Sequence, residues 1–218
     1  MFFKWKWNDL KEFKKNPHLF REFGLTMFTG RQGAGKTMAM VEHLEQLRKR
    51  YPKALIVTNF GYEHETQPFE SWSDLFNIRN GDYGVIFCID EIQNEFSSAS
   101  SKSFPETLLS EITQQRKQKL KILATSQVFT RVAKPLREQC FEVVECITLA
   151  GRWTFAKCFD ADDYNAIIDS NKPDMKNKVR RKWRKNFIQD NRIRELYDSY
   201  AKVERMKKME YVREVKSS

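Results

Sequence analysis

The 218-residue chain reads as an α/β fold: a mainly parallel sheet flanked by helices. Three observations lead there. Short apolar, β-branched runs recur at residues 25–29, 54–60, 83–91 and 121–127. Stretches with apolar residues at helical spacing separate several of them. The first run also passes through a glycine-rich turn directly into the first such stretch. Strands joined by helical crossovers pair in parallel and are covered on both faces. Right-handed connections, with ligands at the carboxyl ends of the strands, follow.

In chain order, LTMFT (25–29) is the first strand. After Lys36, TMAMVEHLEQLRKRY has helical period and a basic last turn that suits the negative end of a helix. ALIVTNF (54–60) is a buried strand. Residues 61–84 are polar, aromatic and turn-rich, a loop with a short helix around SWSDLFNI. YGVIFCIDE (83–91) is the most apolar strand and runs straight into two carboxylates. FSSASSKS (96–103) is a serine-rich loop, and FPETLLSEITQQRKQK starts a helix at Pro105. KILATSQ is the next strand and VAKPLREQC a short helix or turn. FEVVECITLA and RWTFAKCFD form an antiparallel pair across Gly151, a C-terminal β-hairpin. No internal repeat is visible.

The turn carries the chemistry. Gly30-Arg31-Gln32-Gly33-Ala34-Gly35-Lys36-Thr37 matches the phosphate-loop (Walker A) pattern GxxxxGK[ST], after a strand and opening a helix. Backbone amides of such a loop cradle phosphate oxygens, aided by the positive end of the following helix. Glycine allows the close approach of that backbone. Lys36 is expected to bridge the β- and γ-phosphates of ATP, and the Thr37 hydroxyl to ligate Mg²⁺. VIFCIDE (85–91) fits the Walker B role: Asp90 for the Mg²⁺ shell and Glu91 to orient and deprotonate a water. A carboxylate beside Asp90 favours hydrolysis over transfer to a small molecule. No acceptor-site or lid signature of a small-molecule kinase is evident. Gln127, at the end of KILATSQ, is positioned to contact the γ-phosphate or the water. The fold class is thus a P-loop NTPase.

GRQGAGKT, VTNF, CIDEIQ, QQRKQ before ILATSQ, and PLREQC together resemble the ATPase domain of the zonular occludens toxin (Zot) family. That family includes filamentous-phage assembly ATPases and lies near the HerA/FtsK motors that pump DNA. The resemblance spans roughly residues 25–150. It implies an ATPase motor of phage morphogenesis, acting as a homo-oligomer in a ring, on nucleic acid, in the host cytoplasm. Arginines before and after the Gln-bearing strand in that group correspond to Arg116, Arg131 and Arg137. Arg116 is the first choice and Arg137 the second for a finger offered to a neighbouring subunit.

Filamentous-phage members carry a transmembrane helix after the ATPase domain. This chain reaches Ser218 without one, so extrusion would need a separate membrane partner. A soluble packaging motor of a small icosahedral phage, seated at the virion vertex, is one alternative. An ATP-dependent scaffold docked on the inner membrane face or on a capsid protein is another.

Charge is unevenly spread. Residues 171–218 hold 16 basic and 7 acidic side chains, so they carry +9 of the net +10. The chain divides into an aromatic and basic segment (1–24), the ATPase domain (25–160) and a basic helical tail (161–218) with a hinge near Asp174. Lys172, Lys176, Lys178, Arg180, Arg181, Lys182, Arg184 and Lys185, with Trp183 among them, suit a phosphate backbone with a base stacked on the indole. They equally suit an anionic membrane. Ile193, Leu196, Tyr200, Val203 and Met206 form a helical stripe for docking. MFFKWKWNDLKEFKK has no continuous apolar core and is no secretory signal; its Phe and Trp residues are expected to pack on the domain. No run of about 20 apolar residues exists. Cys88, Cys140, Cys146 and Cys158 have no zinc-ligand spacing and read as reduced thiols.

Overall fold

A computed structural model describes residues 2–94, 113–170 and 179–197. Outside them lie the serine-rich loop 96–103, the helix start at Pro105, Lys172, Asp174, Lys176 and Lys178. Tyr200, Val203 and Met206 also lie outside.

The chain begins with helix α1 (Phe2–Lys15). Strand β1 (Gly24–Thr29) then leads through the phosphate-loop sequence into α2 (Lys36–Arg50). β2 (Leu55–Thr58), the short β3 (Gln67–Pro68) and the one-turn α3 (Asp74–Asn77) follow. β4 (Val85–Ile89) delivers Asp90 and Glu91. After α4 (Gln115–Gln118) come β5 (Leu120–Ser126) and α5 (Lys134–Glu138). The hairpin β6 (Cys140–Leu149) and β7 (Trp153–Asp160) precedes α6 (Ala161–Ser170), β8 (Trp183–Ile188) and α7 (Asn191–Glu195).

The described strands form one sheet in the order β3-β2-β4-β5-β1-β6-β7-β8. From β3 to β6 every pairing is parallel; β7 and β8 continue it antiparallel. β1, β4 and β5 are buried at every residue, as strands covered on both faces must be. Side-chain alternation sorts them into two cores. Val85, Phe87 and Ile89 of β4 join Leu120, Ile122 and Ala124 of β5 on one face. Ile86, Cys88 and Leu123 face the other way, onto Met40, Val41 and Leu44 of α2. Each such aliphatic side chain stabilises the fold by about 1.5–3 kcal/mol when fully buried. α2 ends where the chain requires it: Tyr51 leaves helical geometry just before Pro52.

Two expectations need correction. The tail is not helical throughout, because β8 is an edge strand paired with β7 from Trp153↔Ile188 to Cys158↔Trp183. Trp183 and Phe187 lie four residues apart, a spacing that shares one face in a helix and in a strand alike. Charge density could not choose between them. The alternation Trp183, Lys185, Phe187 against α2 fits a strand, and flanking charges blunt its free edge. The second correction concerns α1. Phe3, Trp5 and Trp7 are 83%, 59% and 61% exposed rather than packed on the domain.

The described residues after β8 are nevertheless fastened down. Ile193 and Leu196 are buried in the α2 core. Glu63 N–H donates to the Leu196 carbonyl at 2.9 Å, beside a bridge between Tyr62 and Tyr197. Among the described residues no helix is long and apolar enough to cross a membrane.

Candidate nucleotide site

The loop between β1 and α2 is shaped by what lies behind it. Gly30 has φ 152°, and a Cβ there would sit 2.7 Å from the Cys146 carbonyl oxygen. Gly35 (φ 78°) precedes α2, where a Cβ would meet Thr148 Oγ1 at 2.4 Å and Thr154 Oγ1 at 2.9 Å. Both positions require glycine for conformation and for room. The Ala34 N–H donates to the Arg31 carbonyl at 3.0 Å, and Ala39 N–H to the Gly35 carbonyl at 2.8 Å. Arg31, Gln32 and Gly33 remain exposed. Lys36 is buried, and its Nζ donates across the loop to the Arg31 carbonyl at 3.1 Å. No acidic residue occupies the first turn of α2, so the positive end of its dipole is not neutralised locally.

The residue after β4 meets the first turn of α2. Thr37 Oγ1 donates to Asp90 Oδ1 at 2.9 Å, although the two residues are 53 apart in sequence. β5 lies between β1 and β4, and its Thr125 Oγ1 donates to the same Oδ1 at 2.7 Å. Asp90 is also held through its backbone: its N–H donates to Asn59 Oδ1 (2.7 Å), and Asn59 Nδ2 donates to its carbonyl (3.1 Å). A hydroxyl beside a carboxylate is a hard-oxygen donor pair. It fits Mg²⁺, which takes one or two protein oxygens and completes its shell with water and phosphate. Among the described residues no group of three or more His, Cys, Asp or Glu forms a metal cage, so a cation here would lean on the phosphates.

Glu91 is the next residue, at φ 52°, left-handed backbone that a non-glycine residue adopts only under constraint. Its N–H donates to Thr125 Oγ1 at 2.8 Å. Gln127 Nε2 donates to Glu91 Oε1 at 3.2 Å, and Asn94 Nδ2 to Oε2 at 3.2 Å. Thus Lys36, Thr37, Asp90, Glu91 and Gln127 gather at the carboxyl ends of β1, β4 and β5.

The arginines do not join them. Arg116, on α4, precedes the amino end of β5 and places its guanidinium over the Phe23 ring at 5.6 Å. The seven residues of β5 then separate it from Gln127, roughly 20 Å of strand. Arg137 is half-buried, its Nε donating to the Val132 carbonyl and its guanidinium lying over Phe129. Arg131 is exposed on the turn after β5.

Several residues at the site carried no sequence signal of their own. Asn59 and Thr125 are polar residues at or near strand ends, visible only once the strand order sets them beside Asp90. Behind the loop, Thr148 Oγ1 and Thr154 Oγ1 lie 2.8 Å apart, and buried Gln189 donates to Thr154 at 2.7 Å. Arg194 and Arg152 fix Gln189 in turn: Arg194 donates to Gln189 Oε1 (3.0 Å) and the Gly151 carbonyl (2.6 Å), Arg152 to the Gln189 carbonyl (2.9 Å). The chain after β8 therefore braces the Gly35 end of the loop.

The loop also forms one side of a cavity of about 680 Å³ that runs between β6, the turn after β5 and α6. Thr29, Cys146 and Phe129 line its base and walls.

No protein-family model matches the chain, and no curated protein matches it in sequence. Solved structures do match in fold. The N-terminal domain of zonular occludens toxin from Neisseria meningitidis superposes with a TM-score of 0.56 at 16% identity, over 81% of this chain and 99% of that one. The genome packaging NTPase B204 from Sulfolobus turreted icosahedral virus 2, in complex with AMPPCP, superposes at 0.52 and 12% identity, over 64% of this chain and 93% of that one. Strand order and the glycine loop between β1 and α2 give this chain the P-loop NTPase fold that it shares with both.

Proposed function

We propose that this chain is an ATPase motor of phage morphogenesis that hydrolyses ATP to move DNA. The observation that carries the reading is the 2.9 Å contact between Thr37 and Asp90, with Glu91 fixed one residue away. The amides of residues 30–35 would hold the phosphates and Lys36 would lie against the β- and γ-oxygens. Mg²⁺, held by Thr37 and Asp90, would neutralise charge on the transferring phosphoryl group. Glu91 would accept the proton of the attacking water, oriented with Gln127. The likeness to a genome packaging NTPase supports a genome as the load, and the assembly or extrusion role is what the sequence resemblance to the Zot family implies.

Arg116 and Arg137 are held within their own protomer away from the loop, over Phe23 and over Phe129, so either one would serve as a finger only to a neighbour in a ring. Both guanidiniums lie over a ring of their own subunit, but Arg116 is exposed whereas Arg137 is half-buried and also donates to the Val132 carbonyl, which favours Arg116 for that role. The test is ATP turnover with and without DNA. Glu91→Gln should reduce it by about 100-fold or more while leaving ATP binding intact. A wild type as slow as Glu91→Gln under every assembly condition overturns the motor.

For DNA contact, the described part of the basic run leaves Arg180, Arg181 and Arg184 exposed. Lys182 is paired with Glu142 at 3.0 Å, and Trp183 stacks on His43 rather than facing outward. Replacing the three arginines by glutamine should flatten the salt dependence of DNA binding, lowering the slope by about 0.9 for each phosphate that they neutralise. An unchanged slope moves the DNA surface elsewhere.

A second reading, a scaffold docked on an anionic membrane, is favoured by one observation: Phe3, Trp5 and Trp7 are exposed on a helix rich in lysine. Co-sedimentation with anionic vesicles, abolished in a Phe3→Ala, Trp5→Ala, Trp7→Ala variant, would support it. DNA-stimulated turnover without any vesicle binding would remove it.

A further inference from the structure

Between Asp90 and Glu91 lies a hydroxyl of the neighbouring strand. Thr125, on β5, is fully buried. Its Oγ1 donates to Asp90 Oδ1 at 2.7 Å and accepts the Glu91 N–H at 2.8 Å. An amide N–H can only donate, so it takes a lone pair of the hydroxyl and leaves the proton for the carboxylate. Threonine is stiff at χ1, which keeps the oxygen in this place. The backbone it reaches is the left-handed one, Glu91 at φ 52°. Such a conformation at a non-glycine residue is strained and persists only where the surroundings over-determine it. Two further bonds, from Gln127 Nε2 to Oε1 and from Asn94 Nδ2 to Oε2, each 3.2 Å, hold the far end of the Glu91 side chain. They do not act on the backbone, which decides where that side chain leaves the strand.

We propose that Thr125 is a positioning residue for Glu91: its hydroxyl, anchored on Asp90, holds the Glu91 backbone in the turn that aims the carboxylate at the attacking water. The proposal rests on the hydrolytic reading above and adds to it a residue that acts through Glu91. Asp90 is held besides by the Thr37 hydroxyl and by both bonds of Asn59, none of which involves Thr125. The phosphate loop lies between β1 and α2, on other elements. Losing the Thr125 hydroxyl therefore falls on the aim of Glu91 and leaves the metal and phosphate contacts in place. Turnover is the quantity sensitive to that aim, because a displacement on the order of 1 Å can cost about 100-fold in rate.

The test is steady-state ATP turnover, with Mg²⁺ titration and equilibrium ATP binding, on the full chain and its variants, each rate taken per folded molecule. Thr125→Val keeps the shape and faces the Glu91 N–H with a methyl group. It should lower turnover at saturation by about tenfold or more, with ATP affinity and Mg²⁺ half-saturation within about twofold of wild type. Thr125→Ser retains the hydroxyl and should keep turnover within about threefold. Where the valine does not fold, Thr125→Ala carries the same expectation as a smaller side chain. A double-mutant cycle separates positioning from general support: on top of Glu91→Gln, losing the hydroxyl should cost less than about twofold, because the group it aims is already gone. Undiminished turnover without the hydroxyl overturns the proposal, as does a serine variant as slow as the valine. So does a loss that multiplies in full with Glu91→Gln, or one confined to ATP or Mg²⁺ binding. In each of these cases a wild type faster than Glu91→Gln leaves the proposed function standing. A wild type that does not hydrolyse ATP overturns both.

Discussion

Asn59 and the Asp90 peptide hold each other by two hydrogen bonds, 2.7 Å from the Asp90 N–H to Asn59 Oδ1 and 3.1 Å from Asn59 Nδ2 to the Asp90 carbonyl. The pair ties the end of β2 to the end of β4, the strand that carries the candidate metal carboxylate. Asn59 is 5% exposed, so removing its amide leaves a backbone donor and acceptor without their partner in a dry place. Asn59→Ala is expected to cost about 1–3 kcal/mol of stability. Turnover per folded molecule should also fall, because Asp90 and Glu91 lose their fixed aim. Denaturant melts and ATPase assays on the same preparation check both, and an undiminished rate per folded molecule would show the pair to be structural alone.

Gly35 is the most constrained position of the loop. A methyl group there meets the two threonine hydroxyls behind it, and the φ of 78° penalises any side chain besides. Gly35→Ala should therefore displace the loop and lose ATP binding. Adding Thr148→Ala removes the nearest obstruction and should recover part of the affinity. The recovery stays incomplete because the left-handed backbone strain persists, which isothermal titration of the single and double variants measures.

His43 supplies a pH dependence. It lies under β8, stacked on Trp183 with the rings 5° from parallel and 6.1 Å apart. Burial first, then the charges of Lys121 and Lys185, lowers its pKa from 6.5 to about 4, with Glu142 opposing. The folded state thus binds this proton less readily than the unfolded chain. Stability from the neutral ring is complete above pH 6.5 and is lost as pH falls through 6.5 toward 4. Between pH 7 and pH 5 the loss should be about 2 kcal/mol. Urea melts at the two pH values, repeated on His43→Phe, check it: the variant should lose that increment of pH dependence.

The glycine loop between β1 and α2, the apolar strand that ends in Asp90 and Glu91, and the strand alternation were legible in sequence because each is set by short-range chemistry. A glycine pattern needs only eight contiguous residues, and a strand buried on both faces needs only five apolar ones. Asn59, Thr125 and Gln189 were not legible. Their roles depend on which strands become neighbours, and no local pattern encodes that β5 sits between β1 and β4. Trp183 was misread for a related reason. Its basic surroundings suggest an outward-facing nucleic-acid surface, yet burying an indole against His43 outweighs keeping it in water. The exposed aromatics of α1 are the converse case, since composition predicts burial and nothing in the sequence names what covers Phe3, Trp5 and Trp7.

Gln189 links the end of the described chain to the loop, and its loss should be felt at the nucleotide. Its amide donates to Thr154 Oγ1 at 2.7 Å and its carbonyl oxygen accepts from Arg194, so one buried side chain joins the hairpin to α7. The same Nε2 lies 3.0 Å from where a Gly35 Cβ would stand. Gln189→Leu keeps the bulk but strips the donors, leaving the threonine pair and Arg194 without it. Stability should fall by about 1–3 kcal/mol. If the brace also sets the loop, KM for ATP should rise while turnover at saturation changes little, because Glu91 and Gln127 are held from β5 and not from here. Steady-state kinetics on Gln189→Leu separates the cases: a fall in turnover at saturation with KM unchanged would place the effect on Glu91, and the brace would then play no part in seating the phosphates.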